Sequence, residues 1–304
     1  MEFRILVTVA FAIWSVDCVW AREWTSNDGK TLEAEFVSTE GDQVSLRRPD
    51  GQVFTVPLTR LSEADQSWVV EEASKPAPVK PIEGPFAKLV TESWELSELD
   101  GQKFAFYGSK TMSADKEYPL VLALHGRSPN NVNGKQVKKW MKDFNGAANT
   151  SGKPCFVLAP LSAQPAAGEG YGWNGNEVEL VIDLIKAMKK SLPIDPKKIY
   201  IVGHSMGGYG ACHIMGSEPR MFAAGIAVAG VSLGDADALS RKPVWIIHAA
   251  DDKTTPVKNS REFAEQMKRN KKFKYSEPAT GGHGVANKVF KEPETYQWLF
   301  SQEL

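Results

Sequence analysis

Cysteine is scarce in this 304-residue chain: three residues, one of which, Cys18, lies within the first 21. So few cysteines exclude a small scaffold stapled by disulfides, and a conventional core must hold the fold. Cys155 opens an apolar run and Cys212 sits in a helical one. Both read as buried free thiols, with a single disulfide as the other arrangement they allow. Cys and His also lack metal-ligand spacing, so no zinc site is expected, and no cofactor either. An excess of one charge is absent, with 36 basic and 37 acidic residues giving a formal charge of −1. Removing residues 1–21 takes away Glu2, Arg4 and Asp17 and leaves a near-neutral chain. Without a basic field, nucleic acid is not an expected partner. No apolar run reaches the roughly 18 residues of a permanent membrane span. Histidine is rare too, with five in the chain, so each can be weighed individually.

What the chain does have is 42% hydrophobic residues, enough for one medium domain and a small one. Its most specific segment is Gly203-His204-Ser205-Met206-Gly207. This follows the apolar run Lys198–Val202 and precedes the helix-like run from Gly208 to Met215, so it reads as strand, sharp turn, helix. That is the G-x-S-x-G nucleophile elbow in its confirming context. Side chains two before and two after the serine would collide, so glycine is needed at 203 and 207. The helix that follows aims its N–H groups where negative charge develops.

A serine hydroxyl needs a base, and the base needs an orienting acid. In folds built on this elbow the chain order is Ser, Asp or Glu, then His. His125, His204 and His213 precede Ser205 or share its helix, and His248 precedes any acid. His283, in the loop Thr280-Gly281-Gly282-His283-Gly284, is left as the base. Asp251 and Asp252 both suit the acid. The oxyanion donors are the backbone N–H groups of Met206, after the nucleophile, and of Arg127, in His125-Gly126-Arg127 after the strand Leu120–Leu124. Gly126 permits the close backbone approach, and His125 reads as a brace for this loop. Tyr171 and Trp173, in Gly170-Tyr171-Gly172-Trp173-Asn174, are candidates to line the substrate; core burial is the competing reading for Trp173.

Ser205, His283, an acid at 251 or 252, His125-Gly126 and the glycine-flanked elbow resemble the α/β-hydrolase superfamily. Within it, residues 88–304 look like secreted carboxylesterases, polyhydroxybutyrate depolymerases and feruloyl or acetylxylan esterases, and share much with prolyl-oligopeptidase-like peptidases. Members often read H-G-x-x-D-x-x-V-P before the histidine loop. Placing His248 and Pro256 on that pattern favours Asp252 over Asp251, with Ala249 and Thr255 as departures. The implied fold is α/β: a mainly parallel sheet with helices on both faces. Strand-like runs at Leu120–Leu124, Cys155–Ala159, Ile199–Val202, Ala223–Ala229, Val244–His248 and Phe273–Tyr275 agree, as do helical patterns at Glu177–Met188 and Arg261–Met267. The implied activity is hydrolysis of carboxylic esters through an acyl-enzyme. A peptidase is the alternative, and so is a non-catalytic adaptor.

The front of the chain differs. Residues 1–21 read as a signal peptide, with Arg4, an apolar stretch Ile5–Trp14 and an imperfect small-residue site at Val19-Trp20-Ala21. Export to the periplasm or beyond is therefore expected. Residues 22–72 carry short strands separated by Asp-Gly and Glu-Gly turns, then a capping box Ser62-Glu63-Ala64-Asp65 that starts a short helix through Trp68. They resemble the small SH3-like barrel domain of endocytic adaptors, which implies a protein partner. Residues 73–87, rich in proline, read as a semi-rigid linker.

Overall fold

A computed structural model describes residues 21–75, 79–127, 135–141, 154–162 and 172–304. The signal-peptide reading, apart from Ala21, and Tyr171 lie outside the described residues. The chain divides into two compact units, Met1–Pro78 and Val79–Leu304.

The first unit is a four-stranded antiparallel sheet in the order β1 (Arg22–Thr25), β2 (Thr31–Glu40), β3 (Gln43–Arg47), β4 (Val53–Pro57). Gly29, Gly41 and Gly51 take the positive φ that its turns require. Among the described residues β1 and β4 do not pair. An isolated antiparallel bridge joins Ser26, just after β1, to Leu61, beyond β4. Trp24, Val44, Leu46 and Val69 fill its core. Ser62 caps α1, its Oγ accepting from the Asp65 amide at 3.2 Å. The helix does not stop at Trp68; α1 spans Glu63–Ser74, because nothing after Trp68 breaks a helix before Pro76. The expected linker also shortens from its far end. Lys80 N donates to Ser113 Oγ and its carbonyl accepts from Ala114, while Phe86 and Leu89 are buried in the core of the second unit.

The second unit holds an eight-stranded sheet. Its strands are β5 (Glu95–Leu99), β6 (Gln102–Tyr107), β7 (Tyr118–Leu124), β8 (Phe156–Pro160), β9 (Ile194–His204), β10 (Ala224–Val228), β11 (Val244–Ile247) and β12 (Phe273–Ser276). Their spatial order is β12-β11-β10-β9-β7-β8-β6-β5. The run from β8 to β12 is parallel, and β6 pairs antiparallel with both β5 and β8. All six expected strands are present. The β5–β6 hairpin is an addition, made by the turn Asp100-Gly101, both residues at positive φ.

Alternate residues of β7 enter two separate cores: Leu120, Leu122 and Leu124 on one face, Val121 and Ala123 on the other. A strand buried on both faces must be apolar throughout, which is why these runs lack the alternation of β2. The first core takes Val181, Ile185 and Met188 from α3 (Asn176–Lys189), Ile214 and Met215 from α4 (Met206–Ser217) and Phe263 from α6 (Val257–Gln266). The second takes Trp140 from α2 (Lys135–Met141), Val289 from α7 (Ala286–Val289), and Tyr296 and Leu299 from α8 (Pro293–Phe300). The short α5 (Ala236–Leu239) follows β10. Cys155 and Cys212 form no disulfide and are both buried, one in each core. Burial pushes the Cys155 thiol up to about 12, and that of Cys212 up as well, so both are inert.

Candidate active site

Four of the parallel strands end on one rim of the sheet, and each delivers one part of the site. β9 ends at His204, and the chain turns at Ser205 with φ 56 and ψ −119 before α4 begins at Met206. A positive φ on a non-glycine residue is strained and persists only where the surroundings enforce it. Here they do. The Ser205 amide donates to the Val228 carbonyl at 2.7 Å, and its own carbonyl accepts from Tyr209 at 3.1 Å. A Cβ at 203 would lie 2.0 Å from the Gly207 carbonyl oxygen, and one at 207 would lie 2.2 Å from that of Leu124. Glycine is thus obligatory on both sides of the serine.

β7 ends in His125-Gly126-Arg127. A Cβ at 126 would sit 3.4 Å from Ser205 Cβ, so this backbone passes directly beside Ser205. His125 Nε2 accepts from the Ser162 amide at 3.0 Å, which leaves Nδ1–H to donate to the Gly126 carbonyl at 2.8 Å. The buried imidazole is held neutral, burial lowering its pKa, and it braces the loop. Trp173 is 1% exposed and donates its indole N–H to the His125 carbonyl at 3.2 Å. Its ring is therefore largely core, the competing reading, and it borders a small cavity with Tyr209 and His213. Arg127 is exposed.

β11 leads to the two aspartates and β12 to the histidine loop. His283 Nε2 lies 2.9 Å from Ser205 Oγ, and His283 Nδ1 lies 2.8 Å from Asp252 Oδ2. Asp252 Oδ1 accepts from the amides of Thr254 at 2.8 Å and Thr255 at 3.0 Å. The side chain of Asp252 is completely buried, whereas that of His283 is 24% exposed. Burial alone would raise the Asp252 pKa. The His283 hydrogen bond and the Thr255 and Thr254 amides outweigh it and hold the carboxyl below its ordinary range. Asp251 points elsewhere: its Oδ1 accepts from the Gly282 amide at 2.7 Å and ties down the histidine loop. That loop turns through Gly281 at φ 134 and Gly282 at φ 54. The two adjacent carboxylates therefore do different jobs, one on the ring of His283 and the other on its backbone.

Two histidines that chain order set aside also converge here. His204 Nε2 donates to the His283 carbonyl at 2.6 Å, and its ring packs edge-on against Trp140. Burial holds it at about 4, hence neutral near pH 7. His248, 1% exposed, places Nε2 at 3.1 Å from Asp252 Oδ2. The sequence signal for both was their position, one beside the serine and one at the head of the acid loop, but nothing in the sequence named their partners.

The geometry allows the Ser205 hydroxyl to pass its proton to His283 while Asp252 faces the far side of the ring. Among the described residues no group of three or more His, Cys, Asp or Glu side chains is arranged to hold a metal ion.

Comparison with known proteins places the fold in a class. It is that of the α/β-hydrolases. A family model described as the prolyl oligopeptidase family matches residues 169–240, which include the elbow. A solved thermostable esterase shares 24% identity at a TM-score of 0.61, covering 88% of this chain and 76% of that one. A bifunctional acetylxylan esterase/xylanase of Neocallimastix patriciarum is 28% identical over 141 residues, 44% of this chain; the match spans only 19% of that longer protein. The "Probable feruloyl esterase C" of Aspergillus niger is 22% identical over 199 residues, 62% of this chain and 70% of that protein.

Proposed function

We propose that the chain is an exported serine esterase that cleaves carboxylic esters through Ser205, His283 and Asp252. The observation that carries this reading is the unbroken chain of short contacts from Ser205 Oγ through both ring nitrogens of His283 to the buried Asp252 carboxylate. In this scheme His283 takes the hydroxyl proton as Ser205 attacks the ester carbonyl, and Asp252 stabilises the imidazolium that forms. The N–H groups of Met206 and Arg127 receive the developing oxyanion, aided by the positive end of α4. His283 then protonates the departing alcohol, and water, deprotonated by the same ring, releases the acid from the acyl-enzyme. The names of the curated relatives support acetyl or hydroxycinnamoyl esters of polysaccharides as the substrate class. The Arg4-led apolar start supports export. The short antiparallel strands of the front unit support its reading as an SH3-like module that holds a protein partner.

The test compares p-nitrophenyl acetate, butyrate and octanoate and methyl ferulate as substrates of the full chain and of Ser205→Ala. Turnover of at least one ester that disappears with the serine is the expected result. The prolyl-oligopeptidase match favours a second reading, peptide hydrolysis by the same three residues. Cleavage of a proline p-nitroanilide peptide in preference to every ester would establish it.

A further inference from the structure

His248 is buried at the head of the acid loop and, in the scheme above, takes no part in the reaction. A buried imidazole costs desolvation unless its nitrogens are satisfied. Here both are. Nε2 faces two acceptors, Asp252 Oδ2 and the Thr255 carbonyl, each at 3.1 Å. It must therefore carry the proton. Nδ1 lies 2.7 Å from the hydroxyl of Ser260, a completely buried residue of α6, and accepts from it. The tautomer is thus set from the helix side, with the N–H aimed at the carboxylate.

We infer that His248 is a positioning residue for the triad, a neutral donor that holds Asp252 Oδ2 in line with His283. This rests on the proposed triad. Asp252 Oδ2 lies between two imidazole N–H groups, His283 at 2.8 Å and His248 at 3.1 Å, and Oδ1 is held by two backbone amides. The carboxylate cannot rotate without losing a donor. All four donors are uncharged when His283 is neutral, and among the described residues the ion pairs of Asp252 involve only these two histidines. A lysine or arginine in this place would also satisfy the carboxylate, but it would compete with the imidazolium for the same negative charge. A neutral imidazole orients the carboxylate and leaves its charge available to His283. Burial keeps His248 neutral: Asp252, His283, Ser260 and the more distant Glu277 carboxylate face it, and burial lowers its pKa despite the Asp252 carboxylate and Thr255 carbonyl, which favour the charged ring.

Two substitutions separate orientation from packing. Glutamine places an amide N–H near the Nε2 position, whereas asparagine reaches only as far as Nδ1. Kinetics on p-nitrophenyl acetate, melting temperatures and the downfield ¹H NMR signal of the His283–Asp252 hydrogen bond are recorded for wild type, His248→Gln and His248→Asn. Asparagine is expected to lower kcat about 10- to 100-fold with KM within about twofold, the loss typical of a hydrogen bond to a charged group. Its downfield signal broadens or disappears. Glutamine restores kcat to within about threefold of wild type and keeps the signal. Equal kcat and an unchanged signal in all three proteins, or equal losses in both variants that follow the fall in melting temperature, would overturn the assignment. The NMR signal needs no substrate, so a wild type inert on esters defeats the esterase reading while the resonance still decides the role of His248.

Discussion

The two halves of the proposed active site are built on different physics. The nucleophile half, from Gly203 to Gly208, is fixed by steric contact. A strained serine is pinned between backbone segments so close that a single Cβ at 203 or 207 would overlap a carbonyl. The acid–histidine half is fixed by hydrogen bonds between polar groups. Asp252 has four donors, Asp251 ties the Gly282 amide, and His204 holds the His283 carbonyl. The steric constraints fall on glycines two residues either side of the serine, so they leave a short and readable trace even where, as at Gly207, the clashing carbonyl is that of Leu124. The hydrogen bonds that tie Asp251, Asp252 and His204 to the histidine loop join residues 31 to 79 positions apart and leave almost none.

Substitutions can break this comparison at either end. The largest effect is expected from Asp252→Asn, with a kcat loss of about 10⁴-fold and little change in melting temperature, the magnitude known for an orienting acid that keeps its geometry but fixes the wrong tautomer. Ester turnover under saturating substrate measures it. Gly207→Ala attacks the steric half and should behave oppositely, failing as a fold before it fails as a catalyst. Its Cβ meets backbone that cannot step aside, at a cost of about 3 kcal/mol or more, read from denaturant unfolding.

Acid tests the hydrogen-bonded half as a whole. His204 is buried at about 4 against an ordinary 6.5, so the unfolded chain binds its proton first as the pH falls. The stability this neutral ring contributes is complete above pH 6.5 and is lost progressively down to pH 4, about 3 kcal/mol in all. His125 and His248 are shifted in the same direction, and Asp252, held below its usual range, adds a further loss below pH 4. Melting temperature should therefore be highest near neutrality and fall steeply between pH 6 and pH 4; a flat profile would remove the buried neutral histidines from the account. The smallest effect is expected from Asp251→Ala, which frees the Gly282 amide. It should lower kcat about 10-fold, the cost of one charge-assisted hydrogen bond, well short of the loss in Asp252→Asn.

Legibility in the sequence follows the same division. The elbow and its two glycines could be read because they are neighbours in the chain, and the proposed Ser–Asp–His order because folds built on this elbow keep that order. The six central strands could be read as well, because strands buried on both faces are apolar throughout. The β5–β6 hairpin was missed although Asp100-Gly101 marks its turn, because Glu95–Leu99 is an edge strand with polar residues interspersed. Helix α1 was read too short because the capping box marks only its start. The division of labour between Asp251 and Asp252 was beyond the residues alone, since both lie in one turn and only the fold decides which meets the ring. Trp173 shows the limit most plainly. An aromatic residue in a glycine-rich loop suits a substrate platform or a core equally well, and the His125 carbonyl that draws its indole inward lies 48 positions away.

The most direct test of the account is labelling with a fluorophosphonate, the site located by peptide mass spectrometry in the wild type and in His283→Ala. The account predicts one modified residue, Ser205, in the wild type and loss of most labelling in the variant, because the hydroxyl is activated only through the ring 2.9 Å away. No label on Ser205, or equal labelling in both proteins, would contradict it.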